Sequence, residues 1–253
     1  MNNYIIKKEL EIFRMLKLNW IMKIYVIRHG ETDANKNGVL QGSSNWPLND
    51  SGIKLAILTG QKMKDIKFDI CYSSPLDRAL QTASIILKES KNNTKIEIDE
   101  RISEINMGNY EGKKFRPGEN EVPIIKVLLF KLNAFFVGRF KGGESAADVC
   151  KRTQDFLLEL SKKENEYQNV LVSTHGCAMR AMLNRLYKNR FNFWQGRVPY
   201  NCAVNLIEVK NGKIELIEKD KVYYDSKYIV DRFNLKNKGE WLWASTLKQS
   251  QEK

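Results

Sequence analysis

The chain is 253 residues long, 42% hydrophobic and 28% charged, with 42 Lys and Arg against 30 Asp and Glu for a net charge of +12. These are the proportions of a soluble globular protein, one large or two modest domains, with a sizeable core. The basic residues run along the whole chain and often alternate with acids, as on a solvated surface. No recognised nucleic-acid module accompanies them, so the charge favours anionic small molecules over nucleic acid. Cys71, Cys150, Cys177 and Cys202 have no Cys-x-x-Cys spacing, and with only two histidines the sequence offers no convincing zinc cluster. The cysteines therefore read as reduced core thiols of a cytoplasmic protein. The opening stretch lacks a signal-peptide core, and no segment approaches the ~20 apolar residues that span a bilayer, which disfavours secretion and membrane insertion.

In the N-terminal extension, residues 1–21, Ile6, Leu10, Phe13, Leu16 and Trp20 fall at helical spacing, with Lys7, Lys8, Arg14 and Lys17 among the polar positions. The stretch reads as a basic amphipathic helix packing on its own domain, or as sequence ahead of a start at Met22; contact with a membrane surface is the lesser reading. From Met22 the pattern predicts a strand over 22–27, a helix near 51–65, a strand over 68–73, a helix over 75–89 with Pro75 at its first position, and a short strand near 95–98. A loop rich in glycine, asparagine and charge covers 99–118. Ile125, Leu128, Leu129, Leu132, Phe135 and Phe136 then mark an amphipathic helix within an insertion, about 113–141, that reads as a cap. A helix from Ser145 to about Lys162, a strand over 169–173, a helix over 177–187 and strands near 202–209 and 213–218 follow. The last two flank Asn211-Gly212, a hairpin signal. The alternation predicts an α/β fold, a three-layer α/β/α sandwich on a mainly parallel sheet, spanning 22–218. Residues 219–253 form a C-terminal extension with no assignment.

Both histidines of the chain close a buried-strand pattern: His29 in Arg28-His29-Gly30-Glu31-Thr32 after Ile24-Tyr25-Val26-Ile27, and His175 in Ser173-Thr174-His175-Gly176 after Val170-Leu171-Val172. Ligands of α/β sheets bind at the carboxyl ends of strands, so two imidazoles are offered to one crevice. A histidine attacking phosphorus must be neutral at the reacting nitrogen, and an unperturbed pKa of about 6.5 largely leaves it so at neutral pH. Gly30 allows close backbone approach. Arg78 falls in the first turn of a helix, where backbone N–H groups already favour an anion, and its guanidinium can fork onto phosphate oxygens. Once the phosphoryl group has moved, the leaving alkoxide needs a proton, which a nearby carboxyl group can supply before activating water. Glu104, Glu111 and Glu31 all qualify, and the residues alone do not choose among them.

In chain order, Arg28-His29-Gly30-Glu31-Thr32 with Asn35, Gln41-Gly42, Pro47-Leu48, Gly52, the Ser-Ser-Pro-Leu-x-Arg-Ala-x-Gln-Thr run over 73–82, Glu104, Gly142-Gly143-Glu144-Ser145 and Thr174-His175-Gly176 resemble the histidine phosphatase superfamily. The likeness covers about residues 22–218 and implies a phosphoglycerate-mutase-like fold. It implies that His29 becomes phosphohistidine, that Arg28, Arg78 and His175 form the phosphate pocket, and that Glu104 is the proton donor. It also matches Thr32, Asn35, Gln41, Gly42 and Gly176 to substrate-binding positions, Gly176 at the turn behind the second histidine.

Gly108-Asn109-Tyr110-Glu111-Gly112 after Glu104, and Gly-Glu-Ser where the mutases usually carry Ala-Glu-Ser, resemble the phosphatase branch. The expectation is a phosphomonoester hydrolase that uses no metal or other cofactor and acts on a phosphorylated small molecule. A 2,3-bisphosphoglycerate-dependent mutase and a non-catalytic phospho-ligand or docking module are the alternatives. Lys113, Lys114 and Arg116 near the cap suggest a preference for substrates with extra negative charge.

Overall fold

The structure, a computed structural model, describes residues 20–114 and 122–229. The N-terminal helix reading, Arg116 and residues 230–253 lie outside the described residues. Among the described residues six strands, β1 (Met22–Arg28), β2 (Ile70–Ser73), β3 (Ile96–Ile98), β4 (Asn169–Thr174), β5 (Val204–Lys210) and β6 (Lys213–Lys221), form one sheet in the order β3-β2-β4-β1-β5-β6. The first four run parallel; β5 is antiparallel to β1 and β6 antiparallel to β5. The helices are α1 (Asp33–Asn37), α2 (Asp50–Lys62), α3 (Asp77–Glu89), α4 (Ile124–Leu132), α5 (Ala146–Ser161) and α6 (Gly176–Leu183).

Strands covered on both faces must be apolar along their whole length, which is why the central ones read as unbroken hydrophobic runs. In β4, Val170 and Val172 join Ile24 and Val26 on one face, beneath Phe156, Leu157 and Leu160 of α5 and Met179 and Met182 of α6. Leu171 points the other way, with Tyr25 and Ile27, beneath Leu55 and Ala56 of α2 and Ala83, Ile86 and Leu87 of α3. The expected three layers are present, on a mostly parallel sheet. A third cluster forms the cap: Val127 and Phe130 of α4, Ala134 and Phe140 pack with Val149 of α5, Ala178 and Ala181 of α6, and Phe193 and Trp194 of the loop ahead of β5.

Several boundaries differ from expectation. Pro75 is not the first residue of α3: the chain stays extended through the N-cap Leu76, and the Asp77 amide donates to Asn45 Oδ1 at 2.8 Å. The cap stripe is not one helix; it breaks at Asn133, whose side chain caps a 3₁₀ turn over Ala134–Val137. The helix expected over 177–187 starts at Gly176 and tightens into a 3₁₀ turn after Leu183. Helix α1 was not anticipated, because five residues carry no hydrophobic period. Its marks are local: a capping box between Thr32 and Asn35, and Gly38 closing it at φ 66°. The hairpin signal is realised, with Asn211 at φ 51° and Gly212 at φ 75°, the positive pair a type I′ turn requires. Beyond it β6 runs to Lys221, and Tyr223, Tyr224 and Tyr228 fold back against the α2–α3 layer.

The four cysteines are free, with Cys71, Cys177 and Cys202 buried. Burial pushes the thiols of Cys71 and Cys202 up to about 12, Cys150 up to about 11, and Cys177 well above its ordinary value. Among the described residues no helix is long and apolar enough to cross a membrane.

Candidate active site

Register builds the site. Arg28 at the end of β1 pairs with Thr174 at the end of β4, so the next residue on each strand is a histidine beside the other. The His29 amide donates to Thr174 O at 2.9 Å, and the two imidazoles sit with ring centroids 5.1 Å apart. Strand β2 ends alongside, and Ser74 and Arg78 follow from it. The turn that carries His29 closes onto the start of α2 so tightly that a Cβ on Gly30 would stand 2.7 Å from Gly52 O, and one on Gly52 2.1 Å from Glu31 O.

The His29 Nδ1 lies 2.6 Å from Gly30 O. A carbonyl only accepts, so the proton belongs on Nδ1 and the lone pair on Nε2, which has no partner among the described residues. Burial, followed by the charges of Arg78 and Arg28, holds the imidazole well below its ordinary pKa. The ring is therefore neutral across the physiological range.

Two buried guanidinium groups face this nitrogen's surroundings. Arg78 donates from Nε to His175 Nδ1 at 3.1 Å, from Nη1 to Ser44 O at 2.8 Å and from Nη2 to Gly42 O at 2.7 Å. Three of its N–H groups are thereby spent and two remain. Arg28 reaches Pro199 O through Nη1, while its Nε is buried without a partner. Burial pushes Arg78 down to about 10, against the opposing pull of Glu104, and lowers Arg28 in the same way. Desolvated cations with donors in hand make a cradle for an anion.

Glu104 lies across the start of α6, a helix with no side-chain cap of its own. Its Oε1 accepts from Ile105 N and Ala178 N, both at 3.0 Å, and its Oε2 from Cys177 N at 3.2 Å. The other two carboxylates are turned to loop anchoring. Glu111 Oε1 accepts from Ser43 N, Ser43 Oγ and Met107 N, and Glu31 Oε1 from Asn49 Nδ2. Of the three, only Glu104 lines the cavity.

That cavity, about 90 Å³ against the ~10–15 Å³ needed to hold one water, takes a ligand of several heavy atoms. Arg28, His29, Asn35, Gln41, Gly42, Arg78, Glu104 and Gly176 all line it. Thr32 does not. Its fully buried hydroxyl donates to Gln41 Oε1 at 2.9 Å and accepts from Asn35 N at 3.1 Å, so it props the wall from behind. His175 also stands back: its Nδ1 takes the Arg78 bond and its Nε2 lies 2.8 Å from Ser74 Oγ. Lys113 and Lys114 are not among the lining residues. Sequence reasoning missed the wall made by Phe130, Trp194 and Val198; the only signal for it was aromatic density over 191–194 in a segment without periodicity. Among the described residues no group of three His, Cys, Asp or Glu could hold a metal ion.

An imidazole with one nitrogen unbonded among the described residues, two buried guanidiniums and a carboxyl group thus line one cavity. The chain belongs to the histidine phosphatase superfamily, branch 1, which it matches over residues 24–220. It is 34% identical over 162 residues to phosphoserine phosphatase 1 of Hydrogenobacter thermophilus, covering 64% of this chain and 74% of that one. It is 29% identical over 199 residues to a metal-independent phosphoserine phosphatase of Arabidopsis thaliana, covering 76% and 79%. The structure of Bacillus stearothermophilus YhfR superposes with a TM-score of 0.72 at 27% identity, covering 79% of this chain and 98% of that one. 2,3-Bisphosphoglycerate-dependent phosphoglycerate mutases match as well, at 27% and 29% identity.

Proposed function

We propose that the protein hydrolyses a phosphate monoester in two steps, with His29 as the nucleophile and without a metal ion. The observation that carries this is the neutral His29 ring, its Nδ1 held by Gly30 O and its Nε2 turned to a cavity shared with Arg28, Arg78 and Glu104. In the first step the Nε2 lone pair attacks phosphorus, the P–O ester bond breaks, and the leaving oxygen takes a proton from the Glu104 carboxyl group. In the second, Glu104 takes a proton from water, the water oxygen attacks phosphorus, and the N–P bond breaks to release inorganic phosphate and the original imidazole.

Arg28, Arg78 and His175 form the phosphoryl pocket in this reading. Arg28 offers its unpartnered Nε, Arg78 its two remaining N–H groups, and His175 exchanges Ser74 for a phosphoryl oxygen. Such preorganised donors are worth about 10²–10³ in rate each. Asn35, Gln41, Gly42 and Gly176 contact substrate, with Thr32 fixing the first two. The reading is supported by the phosphoserine phosphatases among the relatives, one of them named metal-independent.

The experiment is turnover of p-nitrophenyl phosphate in EDTA, with rapid quench of labelled substrate. Activity that survives chelation, and acid-labile phosphate on the wild-type chain but not on His29→Ala, is the expected result. Full activity in His29→Ala, or loss of activity on chelation, contradicts it.

A further inference from the structure

The lining of the cavity is of two kinds. Among the described residues the charged side chains that line it are Arg28, Arg78 and Glu104, and the charges of Arg28 and Arg78 act directly on His29. Apart from the His29 ring the rest is Val39, Leu40, Met107, Phe130, Cys177, Trp194 and Val198 with Gly42 and Gly176, and Asn35 and Gln41 are its neutral amide side chains. Trp194 cannot soften this wall with its indole proton, because Nε1 donates to Phe130 O at 2.6 Å and only the ring remains to face a ligand. Its ring is held edge to face by Phe130, at 5.1 Å and 71°, and by Phe193, at 4.9 Å and 85°. Gln41 spends its oxygen on the Thr32 hydroxyl, and Asn35 spends its own on Thr32 N and Asn201 Nδ2. What these two amides have left is N–H, suited to a neutral oxygen close to the phosphate.

From this division we infer that the alcohol part of the substrate is uncharged and largely apolar, an aryl or arylalkyl group in contact with Phe130, Trp194 and Val198. Against Phe130 and Trp194 an ammonium or carboxylate would give up its water with no charged side chain of the described lining beyond Arg28, Arg78 and Glu104 to meet it, whereas an apolar group gains by leaving water. The inference rests on the phosphatase reading above. It sets this chain apart from relatives named for phosphoserine, whose serine carries both kinds of charge.

The test compares kcat/KM of the wild-type chain for 2-phenylethyl phosphate, O-phosphoserine and 3-phosphoglycerate, all esters of alkyl alcohols, so that the contrast reports the wall. The arylalkyl ester is expected to lead each charged one by about tenfold or more. In Val198→Lys, which sets an ammonium on the wall, the ratio of 3-phosphoglycerate to phenylethyl phosphate turnover should rise by about tenfold. Equal or better hydrolysis of either charged ester by the wild type overturns the inference, as does an unchanged ratio in a folded Val198→Lys. If none of the three esters is cleaved and p-nitrophenyl phosphate is not either, the phosphatase reading itself fails.

Discussion

Arg78 Nε and His175 Nδ1 stand 3.1 Å apart, and a guanidinium can only donate, so this one bond puts the remaining imidazole proton on Nε2, against Ser74 Oγ. The same head holds the carbonyl groups of Gly42 and Ser44 and so sets the near wall of the cavity. A lysine ammonium is a point charge without the fork and cannot serve all three partners. Arg78→Lys should therefore lower kcat/KM for p-nitrophenyl phosphate by about 10²–10³-fold with the circular dichroism spectrum unchanged. Near-wild-type turnover would mean that charge alone suffices at this position.

Glu104→Gln separates protonation of the leaving group from the rest of the reaction. Nitrophenolate leaves without help, whereas an alkoxide does not. For an alkyl phosphate kcat should fall by about 10²–10⁴-fold, with a smaller loss in the phosphorylation step for p-nitrophenyl phosphate, read by single-turnover quench. The amide keeps one acceptor for the start of α6 but leaves one of Cys177 N, Ala178 N or Ile105 N poorly met, so stability should drop by about 1 kcal/mol in urea. Equal losses on both esters would remove Glu104 as the acid.

His29 and His175 are both held well below their ordinary pKa in the folded chain, first by burial and then by Arg78. As pH falls through about 6.5 the unfolded chain takes up protons on these residues and the folded chain does not. The unfolded state then binds more protons, so stability is full above pH 6.5 and is lost on acidification, by up to about 1.4 kcal/mol per pH unit for each histidine. Tm measured from pH 7.5 down to 5 should fall, and the decline should be shallower in a His29→Gln, His175→Gln double variant. A profile identical in the two proteins would assign the acid sensitivity to other groups.

Arg180 of α6 is fully buried and donates to Asp220 Oδ2 at 2.6 Å, to Tyr187 Oη at 3.0 Å and to Arg197 O at 3.0 Å. The cluster ties α6 and β6 to the loop that carries Trp194 and Val198. Asp220→Ala strands a buried cation and should cost about 3–5 kcal/mol in chemical denaturation. Through the loop it should also raise KM for an arylalkyl phosphate more than it changes inhibition by inorganic phosphate. A cost under about 1 kcal/mol would show that water reaches Arg180 in the variant.

Strand ends and the rarity of histidine made the reacting half of the site legible in the sequence. Val170-Leu171-Val172 and Ile24-Tyr25-Val26-Ile27 could only be doubly covered strands, and what followed them had to meet at one edge of the sheet. Which of Glu104, Glu31 and Glu111 lines the cavity was hidden, because all three sit in loops and only tertiary packing separates Glu104 from the two that pin Ser43 and Asn49. The resemblance matches Thr32 to a substrate position, whereas its hydroxyl is consumed within the wall. The aromatic part of the lining was illegible for a different reason: Phe130 and Trp194 meet across 64 positions, and no local period encodes such a meeting.

The four thiols bear on how durable the chemistry is. Cys177 reaches the cavity, yet burial, reinforced by Glu104, keeps it protonated, and Cys71, Cys150 and Cys202 are likewise far from the thiolate form that peroxides and alkylating agents attack. The proposed attack by a nitrogen of His29 makes no demand on sulfur. Turnover should persist in iodoacetamide or mild peroxide, conditions that silence enzymes whose nucleophile is a cysteine.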